Sequence, residues 1–437
     1  MPQNVQKLEL TADELVCGLL KLSQTEHVSL LDSCGVGHSG SHLLIAGVGG
    51  TPMPNASVDD LGNCDRPVIF TLSYELGARL NGIETSATRE PEIAATAFDS
   101  LVIHDYRSGR TTVAGTADPM LASRLGAAAD EYVSEETSGV HAAHSNFTRG
   151  EYVAAIETIL ERIRCGDTYQ TNLTQQISVG IGEIRPQHVF WRLRRDHPAA
   201  FAAFITRGDS TVVSASPERF FRIGDGDATG RERARPRRRI ETSPIKGTRR
   251  RGLTREEDDA LKKDLLTSTK DRAENTMIVD LLRNDIGRVC EYGSVEVDKL
   301  CDLEEHPTLF HLVSTVSGEL REDAKFEDVI RALFPCGSIT GAPKISTMRI
   351  IEEIERTPRG LSMGAIGYAV PEGFPGLEPV IDLSVAIRTM IFRDGIATFN
   401  VGGGITIDSD PAAEYDESLL KAKALLAALN ARLESRL

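Results

Sequence analysis

Two pairs of carboxylates stand three residues apart in this chain, Asp271 with Glu274 and Glu414 with Glu417. On a helix that spacing puts both side chains on one face, with β-carbons about 5–6 Å apart. Two such pairs facing one another would suit a hard divalent cation, magnesium foremost where water and substrate oxygens complete the shell. The plainer reading is a solvated acidic face, and spacing alone supports it. Context weighs the other way. Glu414 and Glu417 open a helix that follows Gly402-Gly403-Gly404, and Glu274 sits in an otherwise apolar stretch from Ala273 to Leu282.

Three further features could carry chemistry. The glycines at 402 to 404 would let backbone N–H groups approach a carboxylate or phosphate, although a turn would look the same. They are not the Gly-x-Gly-x-x-Gly of a dinucleotide fold, and there is no Walker sequence. Lys246, between Pro244-Ile245 and Gly247-Thr248, is a surface charge or a nucleophile. To attack carbon it must be partly neutral, which requires burial or positive neighbours. Glu218 in Ser216-Pro217-Glu218 is a candidate general acid just after a strand, or else a turn residue.

These residues need elements to hold them. Short strands are expected at 42–46, 67–71 and 101–104, and at 175–179 and 210–214. Tyr152, Ile156, Ile159, Leu160 and Ile163 fall at helical spacing, so a helix should end near Gly166. Lys270 to Asn284 reads as a helix with Ala273, Met277 and Leu281 on one face. Another helix is expected over 343–355, and a last one with Asp410 as N-cap and Pro411 at its first position. The segment 116–145, rich in Ala and Ser, reads as a helix plus linker. It places a soft boundary between an N-terminal region, 1–145, and a catalytic region, 146–437. Gly224 to Arg239 reads as an Arg-rich insertion, a solvated loop. Helices and strand pairs alternate without a fixed repeat. That pattern favours a mixed α/β (α+β) domain over a doubly wound parallel sheet.

The whole chain narrows the field. Its 437 residues carry a net charge of −15, so most of its surface would repel nucleic acid. An anionic substrate would need local cations or a metal to reverse that field. The seven cysteines, at 17, 34, 64, 165, 290, 301 and 336, form no Cys-x-x-Cys pair. Reduced buried thiols in a cytoplasmic protein are the expectation, not a zinc site or disulfide framework. The polar N-terminus has no signal-peptide core, and no apolar run approaches a membrane span.

Several long stretches, in one order, resemble the chorismate-utilising enzymes: anthranilate, aminodeoxychorismate, isochorismate and salicylate synthases. They are Gly166-Asp167-Thr168-Tyr169-Gln170-Thr171-Asn172-Leu173, Ser216 to Phe220, Pro244 to Arg249, and Lys270 to Asn275 running into Asp280 to Asp285. His311 to Ser314, Gly337 to Lys344, and Gly402 to Gly404 followed by Glu414 and Glu417 complete the series. The match covers roughly 150 to 430.

The resemblance implies two stacked antiparallel sheets flanked by helices. It implies magnesium held by Glu274 and Glu417, with Asp271 and Glu414 holding bound water or completing the shell. Arg388, Tyr368, Gly402 and Gly404 match positions that bind the substrate's other carboxylate or its enolpyruvyl group. Gly247 and Thr248 match positions near the ring, and His311 one beside the reacting region. Gln170 stands where isochorismate and salicylate synthases have a water-activating lysine, which favours ammonia as nucleophile. Lys246 stands where anthranilate synthases have alanine, which favours the aminodeoxychorismate synthase component I branch. His197 departs from the family's asparagine.

That branch implies conversion of chorismate and ammonia to 4-amino-4-deoxychorismate, for para-aminobenzoate and folate biosynthesis. It implies a double displacement. Lys246 attacks C2 while Glu218 protonates the departing C4 hydroxyl; ammonia then attacks C4 and expels the lysine. No Gly-x-Cys-x-Gly elbow of a glutaminase is present, so a separate glutamine amidotransferase subunit is expected to supply the ammonia. Anthranilate synthase component I is the alternative enzyme, and a non-catalytic binding partner is the alternative of another class. Leu30 to Ser33 and Leu72 to Gly77 resemble the family's N-terminal half, where some members bind tryptophan.

Overall fold

A computed structural model describes residues 5–37, 41–116, 118, 120–132, 139–225, 238–306 and 309–434. Two large sheets dominate it. One has thirteen strands and runs from five strands of the first 115 residues through Phe201–Thr206, Thr211–Ser216, Thr389–Arg393 and Ile396–Ile405 to Gln170–Gly180. The other has ten, among them Val68–Leu72, Ala365–Val370, Val380–Val385, Arg219–Asp225, Arg238–Ser243, Leu309–Glu319 and Ile245–Arg250. Strands from before and after residue 145 therefore share both sheets. The named ladders pair antiparallel, while Ala431–Leu433 runs parallel to His141–Ser145.

The sheets stack because each presents one apolar face to the other. Ile45, Ile103, Ala203, Ile205, Val212 and Ile391 of the first sheet pack with Ile69 and Ile366 of the second. Helices cover the outer faces. Ala12–Leu22, Leu121–Glu131, Pro186–Asp196 and Pro411–Ala428 lie on the first sheet, and Val58–Gly62, Tyr74–Leu80, Thr269–Gly287 and Phe326–Leu333 on the second. The result is a helix–sheet–sheet–helix arrangement around a divided core.

Local chemistry explains the helix ends. Thr148 and Glu151 form a reciprocal capping box at the start of Arg149–Arg164, which buries Tyr152, Ile156, Ile159 and Leu160. Asp410 accepts from the Ala413 N–H at 2.8 Å, and Pro411 takes the first helical position, as expected. On Thr269–Gly287 the expected apolar face is the less covered one. Ala273 is exposed and Met277 and Leu281 are half-buried, whereas Ile278, Val279, Leu282 and Ile286 are buried. The open face also carries Lys270 and Glu274, and it borders the site described next.

The Arg-rich insertion begins and ends as a hairpin, with Gly224 opposite Arg239 and Asp225 opposite Arg238. Its residues 226 to 237 lie outside the described residues. The thiols are free but only partly as expected: Cys290, Cys301 and Cys336 are buried, Cys17, Cys34 and Cys64 half-buried, and Cys165 exposed. No described helix is long and apolar enough to cross a membrane.

Candidate active site

Lys246 lies where the pairing of Ile245–Arg250 with Leu309–Glu319 loses register. Ile245 faces Val313 and Thr248 faces His311, so Lys246 and Gly247 form an irregularity between them. Such a bulge re-aims side chains. Gly247 allows it, with φ +90, and its α-carbon sits so close to the helix Thr269–Gly287 that a β-carbon would be 3.0 Å from that of Asp271. Around Lys246 stand carboxylates from three elements, Glu218, Glu274 and Glu417, each of which feels its charge.

Glu218 is 5% exposed, and its Oε1 is buried without a hydrogen-bond partner. Burial pushes its carboxyl above the ordinary carboxylate range. Ser338, Lys246, the Ile245 N–H and Arg388 oppose that rise without cancelling it. Arg388 is a non-glycine residue at φ +50, a strained backbone that turns it toward Glu218. Burial pulls its guanidinium below the ordinary value, and Glu218 resists this.

The three glycines lie inside the strand Ile396–Ile405, not in a turn, with Gly402 opposite Thr174 and Gly404 opposite Asn172. Close approach explains them. A β-carbon at Gly402 would collide with the Leu173 carbonyl, and one at Gly404 with the Gln170 side-chain nitrogen. Gln170 is fully buried, yet neither its Oε1 nor its Nε2 has a hydrogen-bond partner. A buried amide left this way is costly unless something else satisfies it. Beside Gly403 a β-carbon would stand 3.2 Å from Glu414 Oε2 and 3.4 Å from Lys421 Nζ.

The four paired carboxylates differ in character. Burial raises Glu274, and Asp271 and Glu414 add to the rise against Lys246 and Lys270. Burial also pushes Glu417 up, but Lys421, 2.9 Å away, with Lys270 and Lys246 behind it, holds it below the ordinary value. Glu414 accepts the Ser409 hydroxyl at 2.7 Å. Asp271 is engaged by Arg249 at 3.1 Å. Among the described residues no three His, Cys, Asp or Glu side chains converge closely enough to cage a metal. Magnesium does not need such a cage, since it typically takes one or two carboxylates and completes its shell with water and substrate oxygens. The hard oxygen donors and the raised Glu274 fit such an ion.

Thr248 Oγ1 and His311 Nδ1 share a hydrogen bond of 2.9 Å, and the His311 ring meets the edge of His306. Tyr368 sits apart. It lines a small cavity of about 80 Å³ between the sheets with Leu31, Asp32, Ser33, Arg219 and Arg222. Its charged neighbours there are Asp382, Arg222 and Arg219. A wider cavity of about 880 Å³, lined by Met53, Val58, Leu76, Ile93 and Arg331 among others, holds none of these groups.

Sequence reasoning passed over Lys421, which donates to the Gly402 carbonyl at 2.9 Å. Its place four residues after Glu417 was a readable signal. Ser338, beside Glu218 and 3.3 Å from Cys336 Sγ, lay inside a quoted motif without a role.

The profile of the chorismate binding enzymes matches residues 51 to 427. The chain belongs to this family. An aminodeoxychorismate synthase of Streptomyces griseus is 39% identical over 384 residues, covering 84% of this chain and 50% of that one. Aminodeoxychorismate synthase component 1 of Bacillus subtilis (strain 168) is 37% identical over 354 residues, 78% of this chain and 71% of that one. The chain thus spans about half the length of the Streptomyces relative. The crystal structure of anthranilate synthase component I from Streptococcus pneumoniae TIGR4 superposes with a TM-score of 0.70 at 26% identity, covering 98% of this chain and 93% of that one.

Proposed function

We propose that this chain is an aminodeoxychorismate synthase component I, which converts chorismate and ammonia to 4-amino-4-deoxychorismate. The observation that carries the reading is the meeting of Lys246, on a strand irregularity, with the buried and upshifted Glu218. A lysine there offers a nucleophile, and a carboxyl that keeps its proton offers the acid for a departing hydroxyl. Lys246 bonds to C2 of chorismate, both ring double bonds shift, C1=C2 to C1=C6 and C5=C6 to C4=C5, and the C4 hydroxyl leaves as water with the Glu218 proton. Ammonia then bonds to C4, both double bonds return to their original places, and the C2–nitrogen bond to Lys246 breaks, releasing the free amine.

Arg388, Gly402 and Gly404 hold the substrate's other carboxylate or its enolpyruvyl group, with Gly247 and Thr248 near the ring. Gln170 presents its unpartnered amide to the bound ligand, and His311, bonded to Thr248, stands beside the reacting region. Glu274 and Glu417 would hold magnesium, with Asp271 and Glu414 holding bound water or completing the shell. The ion, when bound, fixes a substrate carboxylate and offsets the acidity of its surroundings. Ammonia comes from a separate glutamine amidotransferase subunit.

One assay separates this from anthranilate synthesis, the activity in the name of the Streptococcus structure. With chorismate, ammonium and magnesium, the reading expects chorismate loss without pyruvate release until an aminodeoxychorismate lyase is added. Immediate pyruvate and fluorescent anthranilate would overturn it.

A further inference from the structure

One buried side chain joins the elements that hold the proposed acid and the proposed substrate cleft. Arg359 is 3% exposed. Its Nη1 donates to the Ile339 carbonyl at 2.9 Å, and its Nη2 to the Asn172 carbonyl at 2.7 Å. Its Nε and Nη2 also form a two-pronged pair with Glu355, at 2.8 and 2.7 Å. Glu355 in turn accepts the Thr174 N–H at 2.7 Å and the Thr174 hydroxyl at 2.9 Å. The guanidinium lies over the Tyr74 ring, 4.6 Å from its centroid.

Both anchored segments belong to the site. Ile339 ends the short turn Gly337–Ile339, which carries Ser338. Asn172 and Thr174 belong to the strand that bears Gln170, and they lie opposite Gly404 and Gly402. A planar guanidinium can hold two carbonyls and a carboxylate at fixed angles; an ammonium on a flexible stem cannot. A buried ion pair is weak evidence for stability in itself. A fork this specific is better suited to fixing the distance between two pieces of backbone.

We propose that Arg359, held by Glu355, is a positioning residue for catalysis. It locks the Ser338 turn against the Gln170 strand, so that Ser338 meets Glu218 at a set distance from the cleft formed by Gly402 and Gly404. The proposal rests on the reading of Glu218 as the acid.

The test uses the full chain with chorismate, ammonium and magnesium, and the variants R359K, E355Q, S338A and R359K/S338A. R359K keeps a positive charge beside Glu355. E355Q keeps the shape of that side chain and its bonds to Thr174. Folding is followed by circular dichroism and urea unfolding, and rates are given per folded molecule. The expected result is a kcat about 100-fold lower in R359K, the size of loss that a 1 Å misplacement can cause. KM should change little, E355Q should lose kcat in the same direction, and the double variant should be no worse than the poorer single one. Wild-type kcat in R359K would overturn the proposal, as would losses that multiply with S338A. If both R359K and E355Q fail to fold, the pair is structural only and the proposal also falls. An inactive wild type would instead sink the functional reading itself.

Discussion

Replacing Glu218 with glutamine should separate activity from stability. The side chain is 5% exposed and one of its oxygens has no partner, so an amide of the same shape fits without opening a cavity. What disappears is an acidic proton. General acid catalysis contributes about 10²–10⁴-fold, and E218Q should lose that much kcat, about 3–5 kcal/mol of barrier, with KM little changed. Stability should move the other way. Burial raises the carboxyl in the native state, so the unfolded chain ionises at lower pH than the folded one. Below the unfolded value both states are protonated and the wild type and E218Q should match. As pH rises from there through the raised native value, the wild type loses stability that the neutral amide keeps. Urea unfolding at mildly acidic and mildly alkaline pH, beside steady-state chorismate loss coupled to a lyase, measures both effects. A wild-type kcat in E218Q would refute Glu218 as the acid. Stability curves that run parallel at every pH would refute the raised carboxyl.

Other substitutions test the frame around it. G247A forces a side chain into φ +90 and against Asp271, so it should destabilise the fold by about 1–3 kcal/mol, read by urea unfolding. G404A drives a methyl into the Gln170 amide, an overpacking of about 1–3 kcal/mol that should lower kcat/KM by about ten- to a hundredfold. E274Q should weaken the magnesium dependence of chorismate loss, shown as a higher magnesium concentration at half-maximal rate, and chelation of the wild type with EDTA should abolish turnover.

The elements legible in advance were those with a period or a cap. Arg149–Arg164 and Pro411–Ala428 announced themselves through spaced apolar residues and Asp410-Pro411. Tyr74–Leu80 did not, because it buries Tyr74 to Ala78 without interruption and offers no stripe. Pro186–Asp196 carries Pro186 at its start and Val189, Phe190 and Leu193 in its core, a signal that three arginines obscured. The Gln170–Gly180 strand begins five residues before the expected Gln175, since its buried start is polar: Gln170, Thr171 and Asn172. In the site, residue types pointed to Lys246, Glu218 and the glutamates, and Glu218, Glu274 and Glu417 each feel the charge of Lys246. Of Arg359 only the spacing to Glu355, four residues before it, was readable; its other partners are two backbone carbonyls, which sequence does not mark. Tyr368, a position matched through the family resemblance, lines the small cavity with Arg219 and Arg222, a placement no local pattern marks.

The central claim is that Lys246 forms a bond to the substrate. The direct measurement is intact-protein mass spectrometry after mixing the enzyme with chorismate and magnesium in the absence of ammonia, with peptide mapping of the product. The account predicts a mass increase of chorismate less one water, located on Lys246, lost when ammonium is added and absent from K246A. An unmodified Lys246, together with amination by K246A at the wild-type rate, would contradict it.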